Sequence, residues 1–129
     1  MKNEIEYIAY SGDAFTIEWY FDTKQHSEAL EYYRSLSNDE RIQLLKLFKR
    51  MGDVGKIQDK TKFRNEGDKI YAFKPQPDRF LCFFYENKKI IVTNGFRKKQ
   101  DKLPLNEKER ALTKRNDFIN RQTKGDYYE

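Results

Sequence analysis

Residues Lys69–Thr93 read KIYAFKPQPDRFLCFFYENKKIIVT, and this stretch decides the fold. It contains three runs rich in apolar residues, at Lys69–Lys74, Arg79–Glu86 and Lys89–Thr93. Aromatic and β-branched residues favour strands, whereas proline cannot continue a strand ladder, so Pro75–Asp78 is predicted to be a turn. A second, two-residue turn is predicted at Asn87 and Lys88. The stretch therefore predicts three successive antiparallel strands, with Arg79–Glu86 in the centre.

The chain before this stretch changes from a strand pattern to a helical one. Ala14–Phe21 is predicted to be a strand, with Ile5–Tyr10 as its partner or extension. Asp22–Ser35 is predicted to be a helix. Ser37 and Glu40 fit a capping box, and the helix that follows them is predicted to end at Gly52. An irregular polar loop is expected from there to Asp68.

After the strands, Pro104 and the pair Asn106 and Glu109 predict the start of a C-terminal helix. Residues 122–129 are predicted to form a mobile tail. The whole pattern predicts one α+β domain over residues 1–129, with two N-terminal helices and a C-terminal helix packed on one face of an antiparallel sheet.

Charge is distributed unevenly along the 129 residues, which carry a net charge of +5. Residues 1–40 hold three basic and nine acidic side chains, whereas residues 41–129 hold 23 basic and 12 acidic ones. This asymmetry predicts that the later part of the chain binds an anion such as nucleic acid. The alternative is that the lysines only keep a small protein in solution.

Several classes of function lack their sequence signals. No hydrophobic run could span a bilayer and no signal-peptide pattern is present, so a cytoplasmic location without a membrane partner is expected. A single cysteine, Cys82, excludes an internal disulfide. With one histidine, His26, no metal-site pattern exists, and without a glycine-rich phosphate loop no cofactor is expected.

A basic segment follows the last predicted strand, at Asn94–Pro104, which reads NGFRKKQDKLP. A Gly-Phe corner is predicted first, followed by four cations in six positions, at Arg97, Lys98, Lys99 and Lys102. Lysine and arginine are cationic donors, and arginine can bind two phosphate oxygens at once. The segment therefore predicts a phosphate site at the end of a buried strand.

These residues resemble a known family. The segments Lys69–Lys74, Arg79–Tyr85 and Gly95–Lys99, followed by a proline and a helix, are similar to the RelE/ParE toxin superfamily, and within it to the HigB-like, phage-derived Gp49-like branch. The resemblance extends from about Phe15 to Ile119. It implies a RelE-like fold and a toxin that cleaves mRNA, in most members on the ribosome. It also implies an antitoxin partner, either a helix-turn-helix protein or an acidic one.

Carried over by position, the resemblance assigns residues to the site. Lys74 stands at the family's strand-end arginine, and Lys98 and Lys99 match its paired lysines. Arg79 matches the arginine of a Tyr-Arg pair, although Asp78 replaces the tyrosine. Asn94 stands where many members have histidine, so the general acid or base of those members is missing there.

We interpret these residues as the parts of a metal-free RNA-cleaving site. Arg79 would stabilise the phosphate, Lys98 or Lys99 would act as base or phosphate clamp, and Lys74 would be a second clamp. Binding of flanking RNA is assigned to Lys62, Arg64, Arg97, Phe96 and Lys102. In the alternative interpretation, Arg79 pairs with Asp78 or Glu66, the lysines are only solvated, and Phe96 is a core residue.

Three functions stay open at this point. The first is a toxin that acts as a metal-independent mRNA endonuclease. The second is a catalytically inactive domain of the same fold that binds nucleic acid or protein. The third is a toxin directed against gyrase, because some related toxins are gyrase poisons and a fold does not fix a target.

Overall fold

The structure, a computed structural model, describes residues 5–128. Six strands and three helices follow the order of the chain: β1 (Ile8–Ser11), β2 (Thr16–Trp19), α1 (Glu28–Ser35), α2 (Asn38–Val54), β3 (Phe63–Asn65), β4 (Tyr71–Phe73), β5 (Asp78–Tyr85), β6 (Lys89–Arg97) and α3 (Leu105–Thr123). The predicted α+β class is confirmed. No helix in this described part of the chain is both long enough and apolar enough to cross a bilayer.

All six strands form one sheet, in the order β1-β2-β6-β5-β4-β3. Four of the neighbouring pairs are antiparallel, whereas β2 and β6 run parallel. The prediction of a wholly antiparallel sheet was therefore wrong for one pair. The hairpin of β1 and β2 joins the sheet through the pairing of β2 with β6, the last strand. Because these two strands are far apart in sequence, no local pattern indicates whether they run parallel or antiparallel.

The helices cover both faces of the sheet. Side chains of α1 and α2, among them Ala29 and Phe48, pack with Trp19 and Phe80 in one core cluster. Phe118 of α3 belongs to a second cluster that contains Ile70, Leu81, Phe83, Ile91 and Tyr127. The prediction that all three helices share one face of the sheet was wrong. The central strands carry apolar side chains on both faces, and each face is therefore covered by helices.

The first helix is shorter than predicted, because Asp22–Ser27 is not helical. The Asp22 carboxylate accepts hydrogen bonds from the amides of Lys24 and His26, both at 2.9 Å. A short side chain that binds nearby amides competes with helix formation. Helix α1 therefore begins only at Glu28, where the Ser27 hydroxyl accepts from the amide of Leu30.

Helix α2 starts at the predicted capping box of Ser37 and Glu40, but it does not end at Gly52. Gly55, with φ of 82°, is its C-cap. Gly52 lies inside the helix because the first hairpin packs against it: a Cβ atom there would lie 2.6 Å from the ring of Tyr10. A close contact of this kind joins distant parts of the chain and cannot be distinguished locally from a helix stop.

The predicted strand boundaries also shift. The polar loop after α2 contains β3, and the hairpin turn lies one residue earlier than predicted, at Glu86 and Asn87 with φ of 52° and 55°. The predicted Gly-Phe corner was wrong, because Gly95 lies inside β6. A Cβ atom on Gly95 would lie 2.7 Å from the Tyr32 ring, so this glycine lets α1 approach the strand closely.

Strand β6 contains a bulge. Cys82 of β5 pairs with Val92 and the preceding Leu81 pairs with Asn94, so Thr93 has no partner in the ladder. The Thr93 hydroxyl donates to the Leu81 carbonyl at 3.2 Å. A bulge adds one residue to one strand, and the alternation of its side chains between the two faces is reversed beyond that point.

The C-terminal segment, predicted to be a mobile tail over residues 122–129, is anchored in the second core cluster through Tyr127, and Glu129 lies outside the described residues. Tyr127 is 2% exposed, and its hydroxyl accepts a hydrogen bond from the Phe21 amide at 3.0 Å. Tyr128 donates to the Glu18 carboxylate at 2.7 Å. Arg121 lies 4.6 Å from the centre of the Tyr127 ring. Polar and cationic partners on neighbouring elements therefore fix residues that look like a tail in sequence.

We predict that Tyr127→Ala lowers the free energy of unfolding by about 3–5 kcal/mol, because it empties a buried aromatic position. Tyr127→Phe should cost about 1–3 kcal/mol, because it leaves the buried Phe21 amide without an acceptor. Chemical denaturation monitors both. Leu105→Ala, at a position that is 71% exposed, is the control and should change stability by no more than about 0.5 kcal/mol. Equal stability of the Tyr127→Ala and control proteins would show that the tail is not anchored.

Candidate functional site

Seven of the residues that the sequence predicted for the site surround one pocket, which we call the basic cleft. It lies at one end of strands β3 to β6, beside the segment that leads into α3. Its lining comprises Arg64, Glu66, Ala72, Lys74, Arg79, Phe96 and Lys98–Pro104. The structure thus brings together Lys74, Arg79, Lys98 and Lys99 with Arg64, Phe96 and Lys102, although as many as 38 positions separate them in sequence.

Strand pairing positions the side chains of the cleft. Arg79 of β5 pairs directly with Phe96 of β6, and Arg64 of β3 pairs with Ala72 of β4. Directly paired residues place their side chains on the same face of a sheet. Ala72 is 1% exposed and ends at its Cβ atom, so the larger side chains around it have room to converge.

Arg79 is held rigidly at the edge of the cleft. It is 8% exposed, and its Nη1 atom donates to the Asp78 carbonyl at 2.8 Å and to Gln76 Oε1 at 3.3 Å. Within residues 5–128 neither Nε nor Nη2 is hydrogen-bonded, and no carboxylate lies within 4 Å of the guanidinium. The ion pair of Arg79 with Asp78 or Glu66, which was the alternative interpretation, is not formed in this structure.

The electrostatic environment of Lys74 is set by burial and by other cations. Its Nζ atom donates to the Lys60 carbonyl at 3.1 Å. Burial lowers the pKa of Lys74 below its ordinary value of 10.5, and the nearby charges of Arg79, Arg64 and Lys98 lower it further, against the opposing effect of Glu66. Burial also lowers the pKa of Arg79. Like charges held together in this way favour a bound anion.

The lysines of the segment after β6 differ from one another. Lys98 Nζ lies 2.9 Å from Asp101 Oδ1, and this contact lowers the pKa of Asp101. Lys99 and Lys102 line the cleft without a carboxylate within 4 Å, as far as the described residues show. The cleft therefore keeps positive charge that its own acidic residues do not neutralise.

Arg97, which was predicted to bind RNA, does not line the cleft. Its Nη2 atom lies 2.6 Å from Glu40 Oε2 and 3.8 Å from Asp78 Oδ1, on the face covered by α1 and α2. The bulge at Thr93 is the reason, because it reverses which residues of β6 point to each face. Lys62 also lies outside the cleft, in a separate groove that borders α2.

Asn94 is buried and does not line the cleft. It is 0% exposed, and its Nδ2 atom donates to the Glu107 side chain at 3.0 Å and to the Glu107 carbonyl at 3.2 Å. These bonds join β6 to the first turn of α3. A histidine at this position would be enclosed by the same neighbours, so the general acid or base that many members have there would not line the cleft of this protein.

Sequence reasoning missed two acidic residues of the cleft, Glu66 and Asp101. Glu66 follows β3 and its side chain is 15% exposed, 3.9 Å from Arg64 at the closest pair of charged atoms. A carboxylate can accept a proton from a substrate hydroxyl, so Glu66 is a candidate general base beside the lysines. The available signal was its place directly after Asn65, in the polar loop that was predicted to extend to Asp68 and that also holds Arg64.

The residue types and their placement suit a phosphodiester. An arginine with two unbonded nitrogens could hold phosphate oxygens, lysines could add charge and move protons, and Phe96 could stack on a base. Among residues 5–128, no group of three His, Cys, Asp or Glu side chains is placed as metal ligands would be. The cationic side chains of the cleft are thus of the types that could bind and polarise a phosphate.

A buried acidic cluster lies behind the cleft, on the opposite face of the sheet. Asp78 is 0% exposed and accepts a hydrogen bond from the Tyr32 hydroxyl at 2.5 Å, whereas its Oδ2 atom has no hydrogen-bond partner among the described residues. Burial raises the pKa of Asp78, and the neighbouring Glu40 raises it further, against Tyr32 and Arg97. Asp78 thus costs stability when it is ionised.

The fold and the cleft define a small α+β protein with a cationic pocket at the end of its sheet. The chain belongs to the family described as phage derived protein Gp49-like (DUF891), whose model matches residues 31–116. This is a toxin-like group. The matched segment contains every residue of the basic cleft. A comparison with curated proteins found no match.

We predict that Asp78→Asn stabilises the protein at neutral pH. The folded-state pKa of Asp78 is raised, so its favourable contribution is complete at low pH and is lost as the pH rises through that pKa. Asparagine keeps an acceptor for Tyr32 and never ionises. Thermal unfolding at about pH 4 and pH 7 should show a larger gain at pH 7.

Glu31→Gln, at an exposed carboxylate, is the matched control for Asp78→Asn and should show no such gain. A loss of stability in the Asp78→Asn protein at pH 7, or an equal change at both pH values, would contradict the assignment of a raised pKa to Asp78.

Proposed function

We propose that this protein is the toxin of a type II toxin–antitoxin pair, of the HigB-like kind, and that it cleaves mRNA on the ribosome without a metal ion. One observation carries this proposal. Lys74, Arg79, Lys98 and Lys99 come from three separate segments and surround a single cleft, in which Arg79 is fixed and keeps nitrogens available for an anion. Membership in a toxin-like family supports the same conclusion.

The proposed reaction is an attack of the RNA 2′-hydroxyl on the adjacent phosphorus. A base removes the hydroxyl proton as the new O–P bond forms, and the bond to the 5′-oxygen breaks as that oxygen receives a proton. Lys98, Lys99 or Glu66 would act as the base or acid. Arg79 would stabilise the extra negative charge of the phosphorane, with Lys74 as a second clamp, because fixed cations act most strongly where charge develops.

The proposed protein partner is an antitoxin, either a helix-turn-helix protein or one with an acidic segment that covers the cleft. Unneutralised cations that attract RNA attract carboxylates by the same field, and exposed charge pairs weaken as salt screens them. Binding of the antitoxin should therefore weaken with ionic strength. A complex insensitive to salt, with contacts confined to residues 1–40, would contradict this partner surface.

A second function is favoured by a specific feature of the cleft. Its lining contains no histidine, and Lys98 is already paired with Asp101. Both features fit a domain that binds nucleic acid without cleaving it. Incubation with mRNA on translating ribosomes distinguishes the two functions, because only the endonuclease yields shortened fragments.

We predict that Arg79→Ala lowers mRNA cleavage by a few hundredfold, since removing one donor that stabilises a transition state costs about 3–4 kcal/mol. Lys98→Ala combined with Lys99→Ala should also lower the rate strongly. Growth inhibition on induction and cleavage on programmed ribosomes measure the effect. Protein that has been treated with chelator and then separated from it before the assay should cleave as fast as untreated protein.

The control for Arg79→Ala is Arg34→Ala, at an exposed arginine on α1 outside the cleft. It should keep full activity, and the melting temperature of each variant separates a lost function from a lost fold. Full cleavage by the Arg79→Ala protein, or loss of cleavage after the chelator treatment of the wild-type protein, would refute the proposed mechanism.

A further inference from the structure

A second groove adjoins the basic cleft. It lies between α2 and the loop before β3, and residues lining it include Gln43, Lys46, Thr61, Lys62, Lys74 and Gln76. Lys74 lines both the groove and the cleft. A ligand long enough to pass Lys74 would therefore contact both surfaces.

The groove is uniformly positive. Its lining contains three lysines and no acidic residue. Lys46 and Lys62 are exposed, and within the described part of the chain neither lies within 4 Å of a carboxylate. The nearby charges of Lys62 and Lys74 help to lower the pKa of Asp59, after the hydrogen bonds from Thr61. Asp59 thus lies near the groove without lining it, and three lysines against this one carboxylate leave a net attraction for a polyanion.

The loop that carries Lys62 is held in place by its own hydrogen bonds. The Asp59 carboxylate accepts from the Thr61 amide and hydroxyl, at 2.9 and 2.6 Å. The Lys62 carbonyl accepts from the Lys74 amide at 2.8 Å. A backbone hydrogen bond thus joins Lys62 to Lys74, and it fixes the position of the groove relative to the basic cleft at this point.

The opposite end of the cleft has a different character. There the cleft continues into a pocket whose lining includes Glu66 and Asp101 as well as Arg64, Lys102 and Lys108. Mixed signs attract a chain of phosphates less than a uniform positive field does. The groove beside α2 is therefore the better extension for a phosphate backbone.

We propose that this groove binds the backbone phosphates next to the scissile one, so that a single RNA strand spans the groove and the cleft with Lys74 between them. The inference rests on the proposed endonuclease. It adds Lys46 as a substrate-binding residue, and it places Lys62, which the sequence already assigned to flanking RNA, in the groove outside the cleft. Contacts to phosphates carry no base information, so these lysines would set affinity and register but no sequence preference.

The test measures binding of 2′-O-methyl RNA, which lacks the nucleophilic hydroxyl, to the full chain as a function of salt. An octanucleotide has phosphates beyond those at the cleft that could reach the groove, whereas we expect a trinucleotide bound at the cleft to leave the groove empty. The logarithm of the binding constant falls linearly with the logarithm of the salt concentration. For a single strand, each lost phosphate contact makes this slope less steep by about 0.7. For the double variant Lys46→Ala, Lys62→Ala, the slope should therefore be less steep by about 1.4 with the octanucleotide and unchanged with the trinucleotide.

The matched control is Lys24→Ala with Lys124→Ala, which removes the same charge from two exposed positions outside both surfaces. An unchanged octanucleotide slope in the groove variant, or an equal loss in the control, would overturn the inference. The inference would also be overturned if the groove variant bound an acidic antitoxin segment more weakly but bound RNA as well as the wild-type protein does. The groove would then be a protein-binding surface.

The two proposals can fail separately. We call the proposed course of the RNA through the groove and the cleft the strand path. If Arg79→Ala abolishes cleavage while the groove variant keeps the salt dependence of wild-type binding, the endonuclease stands and the strand path is overturned. If the slope falls as expected but the wild-type protein cleaves no RNA, the strand path stands and the endonuclease is overturned. Failure of the wild-type protein to bind the octanucleotide would overturn the strand path.

Discussion

One unpaired residue in β6 decides which side chains reach the basic cleft. Val92 packs in the core under α1 and α2, and Gly95 faces the same side, although a regular strand would place residues three apart on opposite faces. The extra residue, Thr93, satisfies the Leu81 carbonyl with its hydroxyl. Beyond it, Phe96 and Lys98 point to the cleft and Arg97 points away. Without the bulge these assignments would be exchanged.

The same region joins the two faces of the sheet. Asn94 binds Glu107 and so fixes the start of α3, while Gly95 lets the Tyr32 ring of α1 pack closely on the strand. The segment between β6 and α3, which supplies Lys98 and Lys99, is therefore anchored at both of its ends. The arrangement of the cations in the cleft therefore depends on packing outside the cleft, because the helices fix the strand that positions them.

Features that depend on a contiguous pattern were predictable from sequence, and those that depend on distant contacts were not. The three central strands, the capping box at Ser37 and the strand-end cations follow from neighbouring residues. The role of Gly52 inside α2 depends on a hairpin some 40 positions earlier, and the side to which Arg97 points depends on the bulge. Tyr127 looks like part of a polar tail until its partner, the Phe21 amide, is known.

The bonds that hold Arg79 have a consequence for selectivity. Its guanidinium has already lost rotational freedom on folding, through Gln76 and the Asp78 carbonyl, so a ligand need not supply that ordering entropy. Exposed lysines such as Lys46 and Lys62 keep their freedom and can follow any negative charge. In the proposed RNA site, the fixed arginine would therefore favour one geometry of phosphate, whereas the exposed lysines would respond only to charge. Affinity and discrimination would then come from two kinds of cation on one surface.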